Sequence, residues 1–212
     1  MRILVGTPCI ETLPVEFVNS LLRLRKPPGT EILLFPLSVV DVAREGIVSY
    51  ALQEKFDYVL FIDSDMVFRP DILGELLERD KDIITALAFK RKPPYSPCIY
   101  KTLRLAGKTE VRTELFKEYE EGVFEVEGCG LACCLIKTEV FKAIYEKDSY
   151  IFSPYQGYGE DLTFCLRARN AGFKIYADTT LKIGHIGQLI CTEETYKAWS
   201  EMGGDKNEDS NR

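Results

Sequence analysis

The sequence predicts an α/β fold: a single domain with a mostly parallel sheet flanked by helices, and a small mixed β region in its second half. Strand-like and helix-like runs alternate from the N-terminus through Leu87. Tyr58–Ile62 is a continuous apolar run with β-branched and aromatic members, the mark of a buried parallel strand. The chain, at 212 residues and 46% hydrophobic, can bury one sizeable core.

Each element has its own signal. Ile3–Val5 reads as the first strand. Pro14 opens a helix in which Phe17, Val18, Leu21, Leu22 and Leu24 recur at helical spacing, and Pro27-Pro28-Gly29 breaks it. Glu31–Phe35 is the second strand, followed by a helix through Val42, Ile47, Val48, Ala51 and Leu52. Tyr58–Ile62 is the third strand. Pro70 opens a helix with Ile72, Leu73, Leu76 and Leu77 on its apolar face, and Asp82–Leu87 is the fourth strand. This order argues parallel strands joined by right-handed crossovers. The second half is less regular. Phe89 to Arg112 is rich in Pro, Lys and Arg, with Glu110 its only acidic residue, and reads as a loop or short hairpin. Gly122–Val126 and Leu131–Ile136 read as strands flanking Gly128-Cys129-Gly130. Helices are expected over Glu139–Tyr145, Glu160–Ala171 and Thr192–Met202, with a loop over Asp148–Gly159 and short strands over Lys174–Ala177 and Leu181–Ile183. The domain is placed at residues 1–202, and the polar stretch 203–212 is expected to be disordered.

Composition narrows the class. A net charge of −6 argues against nucleic-acid binding. No apolar run reaches the roughly 18 residues a membrane span needs. The first residues read as a strand and lack the cleavage site of a signal peptide. Seven cysteines are scattered without a CxxC pair. They read as free thiols in a reducing cytosol, with a zinc site that enlists His185 as the weaker alternative. No N-x-S/T acceptor occurs, and a cytoplasmic location is expected.

The chemistry-bearing residues cluster at strand and helix ends. Asp63-Ser64-Asp65 follows the third strand, where open α/β sheets bind ligands. Carboxylates there can hold Mg²⁺ or Mn²⁺, and the ion can hold a diphosphate; the alternative is an ordinary turn. If the backbone remains extended through Ser64, both carboxylates project to one side. Glu160 and Asp161 open a helix after Gly157-Tyr158-Gly159, either as simple dipole-matched charges or as a general base for an acceptor hydroxyl. Tyr155 and Tyr158 beside them can pack against a sugar ring. His185, the only histidine, stands in Ile183-Gly184-His185-Ile186-Gly187. Its flanking glycines suggest close backbone approach, as around a ligand, and imidazole suits Mn²⁺ better than Mg²⁺. Arg44 and the basic run Lys90-Arg91-Lys92 can neutralise phosphates. Neither GxGxxG nor GxxxxGK is present, which leaves dinucleotide redox chemistry and P-loop hydrolysis unsupported.

In order, Gly6-Thr7-Pro8, Ala43-Arg44-Glu45, Phe61-Ile62-Asp63-Ser64-Asp65-Met66, Gly128-Cys129-Gly130, Gly159-Glu160-Asp161 with Phe164, and Gly184-His185-Ile186-Gly187 resemble a glycosyltransferase of the GT-A (Rossmann-like) fold, close to the family 2-like group. The resemblance runs from residue 1 to about residue 188. It implies transfer of a sugar from a UDP- or GDP-linked nucleotide-sugar donor to a carbohydrate or other hydroxyl acceptor, with Mn²⁺ or Mg²⁺ as cofactor. It implies that Thr7, Pro8 and Arg44 line the nucleotide pocket with Asp63, Ser64 and Asp65. Asp63 and Asp65 would be a DxD motif, Asp65 the direct metal ligand, and His185 would complete the metal site. Asp161 would be the catalytic base of an inverting enzyme, with Glu160 as neighbour or substitute, and Gly128–Gly130 would lie beneath donor or acceptor. The chain departs from the pattern at Glu45, where many relatives carry Asn, and at Pro36-Leu37-Ser38, which replaces an acidic turn and leaves Asp41 as a nucleobase contact. Two other readings use similar residues. A nucleotidyltransferase shares the sheet, nucleotide and metal but usually carries a Gly-rich basic loop after the first strand. A non-catalytic binding protein on a degenerate GT-A fold has no need of the acids and histidine kept here.

Overall fold

The computed structural model describes residues 1–36, 39–106, 110–187 and 190–202. The polar stretch 203–212, and Leu37 and Ser38 of the turn after the second strand, lie outside the described residues. In chain order the elements are β1 (Ile3–Cys9), α1 (Val15–Arg23), β2 (Thr30–Pro36), α2 (Val40–Gln53), β3 (Tyr58–Ile62), β4 (Met66–Val67), α3 (Ile72–Glu78), β5 (Ile83–Leu87), β6 (Ile99–Ala106), β7 (Glu110–Leu115), β8 (Val123–Val126), β9 (Gly128–Cys129), β10 (Cys133–Lys137), α4 (Thr138–Tyr145), α5 (Glu160–Asn170), β11 (Ile175–Lys182), β12 (Gly184–Ile186), β13 (Ile190–Cys191) and α6 (Glu193–Glu201).

Seven strands form the central sheet in the order β2-β1-β3-β10-β5-β11-β8. β1, β2, β3, β5 and β11 run one way, because β10 is antiparallel to both β3 and β5 while β11 is parallel to β5. The sheet is therefore mostly parallel, with helices on both faces. One correction concerns its middle. Consecutive strands β3 and β5 are not neighbours; β10, from the second half of the chain, is inserted between them. Its all-apolar, all-buried start, Cys133 to Ile136, suits a strand with two sheet neighbours and two covered faces.

The core is split by the sheet. Leu4, Ile47, Val48, Phe61, Phe141, Phe152 and Phe164 pack on one face, under α2, α4 and α5. Ile3, Val5, Phe17, Leu60, Ile62, Leu73 and Leu76 pack on the other, under α1 and α3. Phe61 meets Phe152 edge-on at 5.6 Å, and Phe152 stacks on Phe164 at 5.6 Å. Truncating such a ring to Ala typically costs about 3–5 kcal/mol. Gly6 sets the spacing of α2, since a Cβ there would lie 2.4 Å from Ile47 Cγ2.

Two small sheets complete the fold, β13-β12-β4 and β7-β6-β9. The basic stretch after Phe89 contains the β6–β7 hairpin rather than loop alone. The expected strands at 174–177 and 181–183 are one strand, β11, with a register shift between Asp178 and Lys182. β4, β12 and β13 are too short to carry a periodic signal and are not evident in the sequence.

Candidate active site

The carboxyl ends of β1, β3 and β5 meet at one edge of the central sheet. Gly6 of β1 pairs with Phe61 of β3, so Thr7 and Pro8 extend level with Ile62 and Asp63. Because β10 runs antiparallel, its beginning lies at the same edge, and Asp63 N–H donates to Ala132 O at 3.0 Å. Gly130, just before it, is held by its N–H to Cys98 O at 2.9 Å. A Cβ placed on Gly130 would lie 3.8 Å from Asp161 Oδ2, so the first turn of α5 faces this edge as well.

The backbone does not stay extended through Ser64. It turns, with Met66 N–H donating to Asp63 O at 3.2 Å, and β4 begins at once. β4 pairs antiparallel with β12, which sets His185 opposite Met66, and Ile186 N–H closes on Asp65 O at 2.7 Å. Residues 120 positions apart are brought together in this way. Asp63 and Asp65 consequently face different partners.

Asp63 Oδ1 accepts from an Arg44 Nη2 at 2.7 Å. Arg44 comes from α2, is 2% exposed, and lies with its guanidinium 5.1 Å over the Phe61 ring. Its Nε is 3.7 Å from Glu160 Oε1. Burial raises the Asp63 pKa above the ordinary carboxylate value, with Arg44 opposing and the charge of Asp65 adding to the rise. Arg44 Nε and Nη1 are buried and lack hydrogen-bond partners, as does Thr7 Oγ1. Unsatisfied buried donors of this kind call for an acceptor. Thr7 shares strand parity with Val5, so its side chain points to the sheet face opposite Arg44.

Asp65 Oδ2 lies 3.1 Å from His185 Nε2 and 2.8 Å from Arg91 Nη1. His185 Nδ1 is 2.7 Å from Phe89 O. A carbonyl only accepts, so Nδ1 carries the proton and donates. Nε2 faces the carboxylate: in the imidazolium it donates to Asp65, and in the neutral ring its lone pair can ligate a metal. Burial opposes ionisation of both groups, but their mutual contact outweighs it, raising His185 and lowering Asp65. No group of three or more His, Cys, Asp or Glu side chains that could hold a metal ion occurs among the described residues. Asp65 and His185 fit the common pattern for a nucleotide-bound ion, in which the protein supplies one or two ligands and phosphates and water the rest.

Asp161 is in the first turn of α5, its Oδ1 accepting from Leu162 N–H at 2.7 Å. Burial, then the charge of Glu160, push its pKa up to about 6, while Arg44 pulls the other way. Tyr158 differs from the sequence expectation: it is 3% exposed, its hydroxyl donating to Arg104 O at 2.7 Å, so it belongs to the core. Tyr155 remains exposed beside α5. Gly184 also differs. The close approach it permits is to protein, since a Cβ there would lie 2.6 Å from Ile190 Cγ2. Asp41 is in the first turn of α2, with no hydrogen bond or ion pair to the group around Asp63 among the described residues. All seven cysteines are free, and all but Cys98 are buried.

Glu45 has a definite task that sequence reasoning missed. It accepts from Tyr145 Oη at 2.6 Å and from the N–H groups of Ile151 and Phe152 at 3.1 Å, fixing the chain that leads to α5. The charge at this position thus serves the scaffold beside Arg44. Arg91 belongs to the basic run seen in the sequence, but its pairing with Asp65 has no sequence signal.

Comparison with known proteins agrees with this architecture. Residues 21–200 match the family described as glycosyltransferase like family 2. The chain belongs to that family and carries a glycosyltransferase domain. Among solved structures, the crystal structure of A197 from STIV resembles it with a TM-score of 0.64 and 21% identity, over 92% of each chain. That likeness concerns the fold. No curated protein matches the chain. No helix among the described residues is long and apolar enough to cross a membrane.

Proposed function

We propose that this protein transfers a sugar from a nucleoside-diphosphate sugar, UDP- or GDP-linked, to an acceptor hydroxyl with the help of Mn²⁺ or Mg²⁺. The observation that carries this reading is His185 Nε2 held 3.1 Å from Asp65 Oδ2, with Nδ1 engaged by Phe89 O, at the same sheet edge as Asp161. Asp65 and His185 would hold the ion, which supplies Lewis-acid stabilisation of the departing nucleoside diphosphate. Asp63, Ser64, Thr7, Pro8 and Arg44 would line the nucleotide pocket, with Asp41 reaching the nucleobase. The unsatisfied N–H groups of Arg44 are donors for ligand oxygens in a site where water is excluded. Asp161 would take the acceptor proton, and a pKa of about 6 suits a base working near neutral pH. Glu160 raises that basicity through its charge. The domain 1–202 would act in the cytoplasm on a carbohydrate or other hydroxyl acceptor.

Thermal unfolding with UDP, GDP, ADP, CMP and dTDP, each with and without Mn²⁺, tests the reading. One diphosphate should raise the midpoint in a Mn²⁺-dependent manner and so name the donor class. Absence of any shift, in a folded protein, would count against a nucleotide site. Pyrophosphate release from a nucleoside triphosphate would instead assign nucleotidyl transfer.

A further inference from the structure

Asp63 and Asp65 each pair with an arginine, and the two arginines are unlike. Arg44 is 2% exposed and sandwiched between Asp63, Glu160 and Phe61. Arg91 is 56% exposed and reaches Asp65 Oδ2 from the segment after β5. That oxygen is the one His185 Nε2 approaches. A divalent ion entering between Asp65 and His185 therefore competes with Arg91 for the same atom.

The backbone beneath Arg91 is well tied. Lys90 N–H donates to Ser96 O at 2.9 Å, Cys98 N–H donates to Ala88 O at 2.8 Å, and Phe89 bridges Pro97. Helix α6 braces the segment through Trp199 on Tyr95 and Tyr196 on Phe89, each pair 5.6 Å apart. A long, solvated side chain on a fixed base can swing without moving the chain that bears it. The exposed ion pair it leaves behind is worth at most about fivefold in an equilibrium constant.

We propose that Arg91 is an exchangeable counter-cation for Asp65: it pairs with the carboxylate before a divalent ion binds and, displaced from Oδ2 by the ion, turns to the diphosphate of the donor. The proposal rests on the nucleotide-sugar reading above. A guanidinium fits both partners, since its planar fork matches carboxylate and phosphate alike. The ion would then deliver a further positive group to the leaving diphosphate, from a solvated side chain where Arg44 is buried.

The test uses the full chain, wild type and Arg91→Gln. Mn²⁺ binding is measured by electron paramagnetic resonance with the metal alone, and UDP and GDP binding by calorimetry at saturating Mn²⁺. Arg91→Gln should bind Mn²⁺ alone about two- to fivefold more tightly and the cognate diphosphate roughly tenfold more weakly. Opposite signs are the signature, because simple structural damage weakens both. Unchanged or weakened Mn²⁺ affinity in Arg91→Gln, with wild type binding both ligands, overturns the role of Arg91 alone. Failure of wild type to bind either Mn²⁺ or a nucleoside diphosphate overturns the nucleotide-sugar reading and the Arg91 proposal with it.

Discussion

Asp63 and Asp65, separated by one serine, have opposite surroundings. Asp63 is engaged by a buried arginine that also approaches Glu160 and lies over a core phenylalanine. Asp65 is 27% exposed and shares one oxygen between His185 and a solvated arginine. The two carboxylates are similarly exposed, 29% and 27%, and differ in their partners: a buried guanidinium for the first, a histidine and a solvated guanidinium for the second. A short acidic motif can therefore give its two carboxylates different partners by turning between them.

The sharpest way to break this contrast is to remove each side in turn. Asp65→Ala should retain the fold while metal-dependent transfer falls on the order of 10³-fold, checked by circular dichroism beside a donor-consumption assay. Full activity in that variant would refute the metal role of Asp65. Asp161→Asn should lose about 10²- to 10⁴-fold in transfer yet keep nucleotide binding; equal loss of both would make Asp161 structural. With Asp161 as the proposed base, the wild-type rate should fall below pH about 6 as its carboxylate is protonated. A profile flat from pH 5 to 8 would contradict that assignment.

On the scaffold side the readout is stability. Arg44→Met leaves Asp63 and Glu160 without their buried partner and should cost about 3–5 kcal/mol in urea unfolding. A loss below roughly 1 kcal/mol would show that this half is as loosely held as the other. The smallest effect has the reverse sign. Asp161 has its folded pKa raised from 3.8 to about 6, so the stability linked to its protonated form is present below the unfolded value and is lost as pH rises through the folded one. Asp161→Asn should therefore be more stable than wild type at pH 7, by about 1 kcal/mol after solvent screening, with the difference vanishing near pH 3. Equal stability at both pH values would mean that the carboxylate is not strained by its site.

Much of this was legible from residue order. Tyr58–Ile62 is the strand its apolar run announces, and helices α1, α3 and α5 begin within two residues of Pro14, Pro70 and Gly159. The acids and His185 could be named because each follows a strand or opens a helix, and Arg44 because a charged residue stands among the apolar positions of α2. Their pairing was not legible. That His185 should meet Asp65 depends on β4 and β12, strands of two and three residues. That Asp63 should turn to Arg44 depends on the spacing of α2 over β1, set by Gly6 and Ile47. Tyr158 was misplaced because a loop rich in Ser, Pro and Gly gave no hint that one of its tyrosines reaches the backbone of β6. Local patterns name elements; contacts between short, distant segments are decided by packing alone.

The strand inserted between β3 and β5 has a consequence for how the chain is made. Until Cys133–Lys137 has emerged from the ribosome, β3 and β5 cannot be joined, and each presents a fully apolar edge to whatever is nearby. The nascent chain must wait through the whole β6–β7 hairpin before this gap closes. Such late, long-range closure slows folding and prolongs exposure of sticky edges. Truncations ending between β5 and β10 are for that reason poor material for expression, however complete their βαβ units look, and the site at the sheet edge is assembled among the last parts of the molecule.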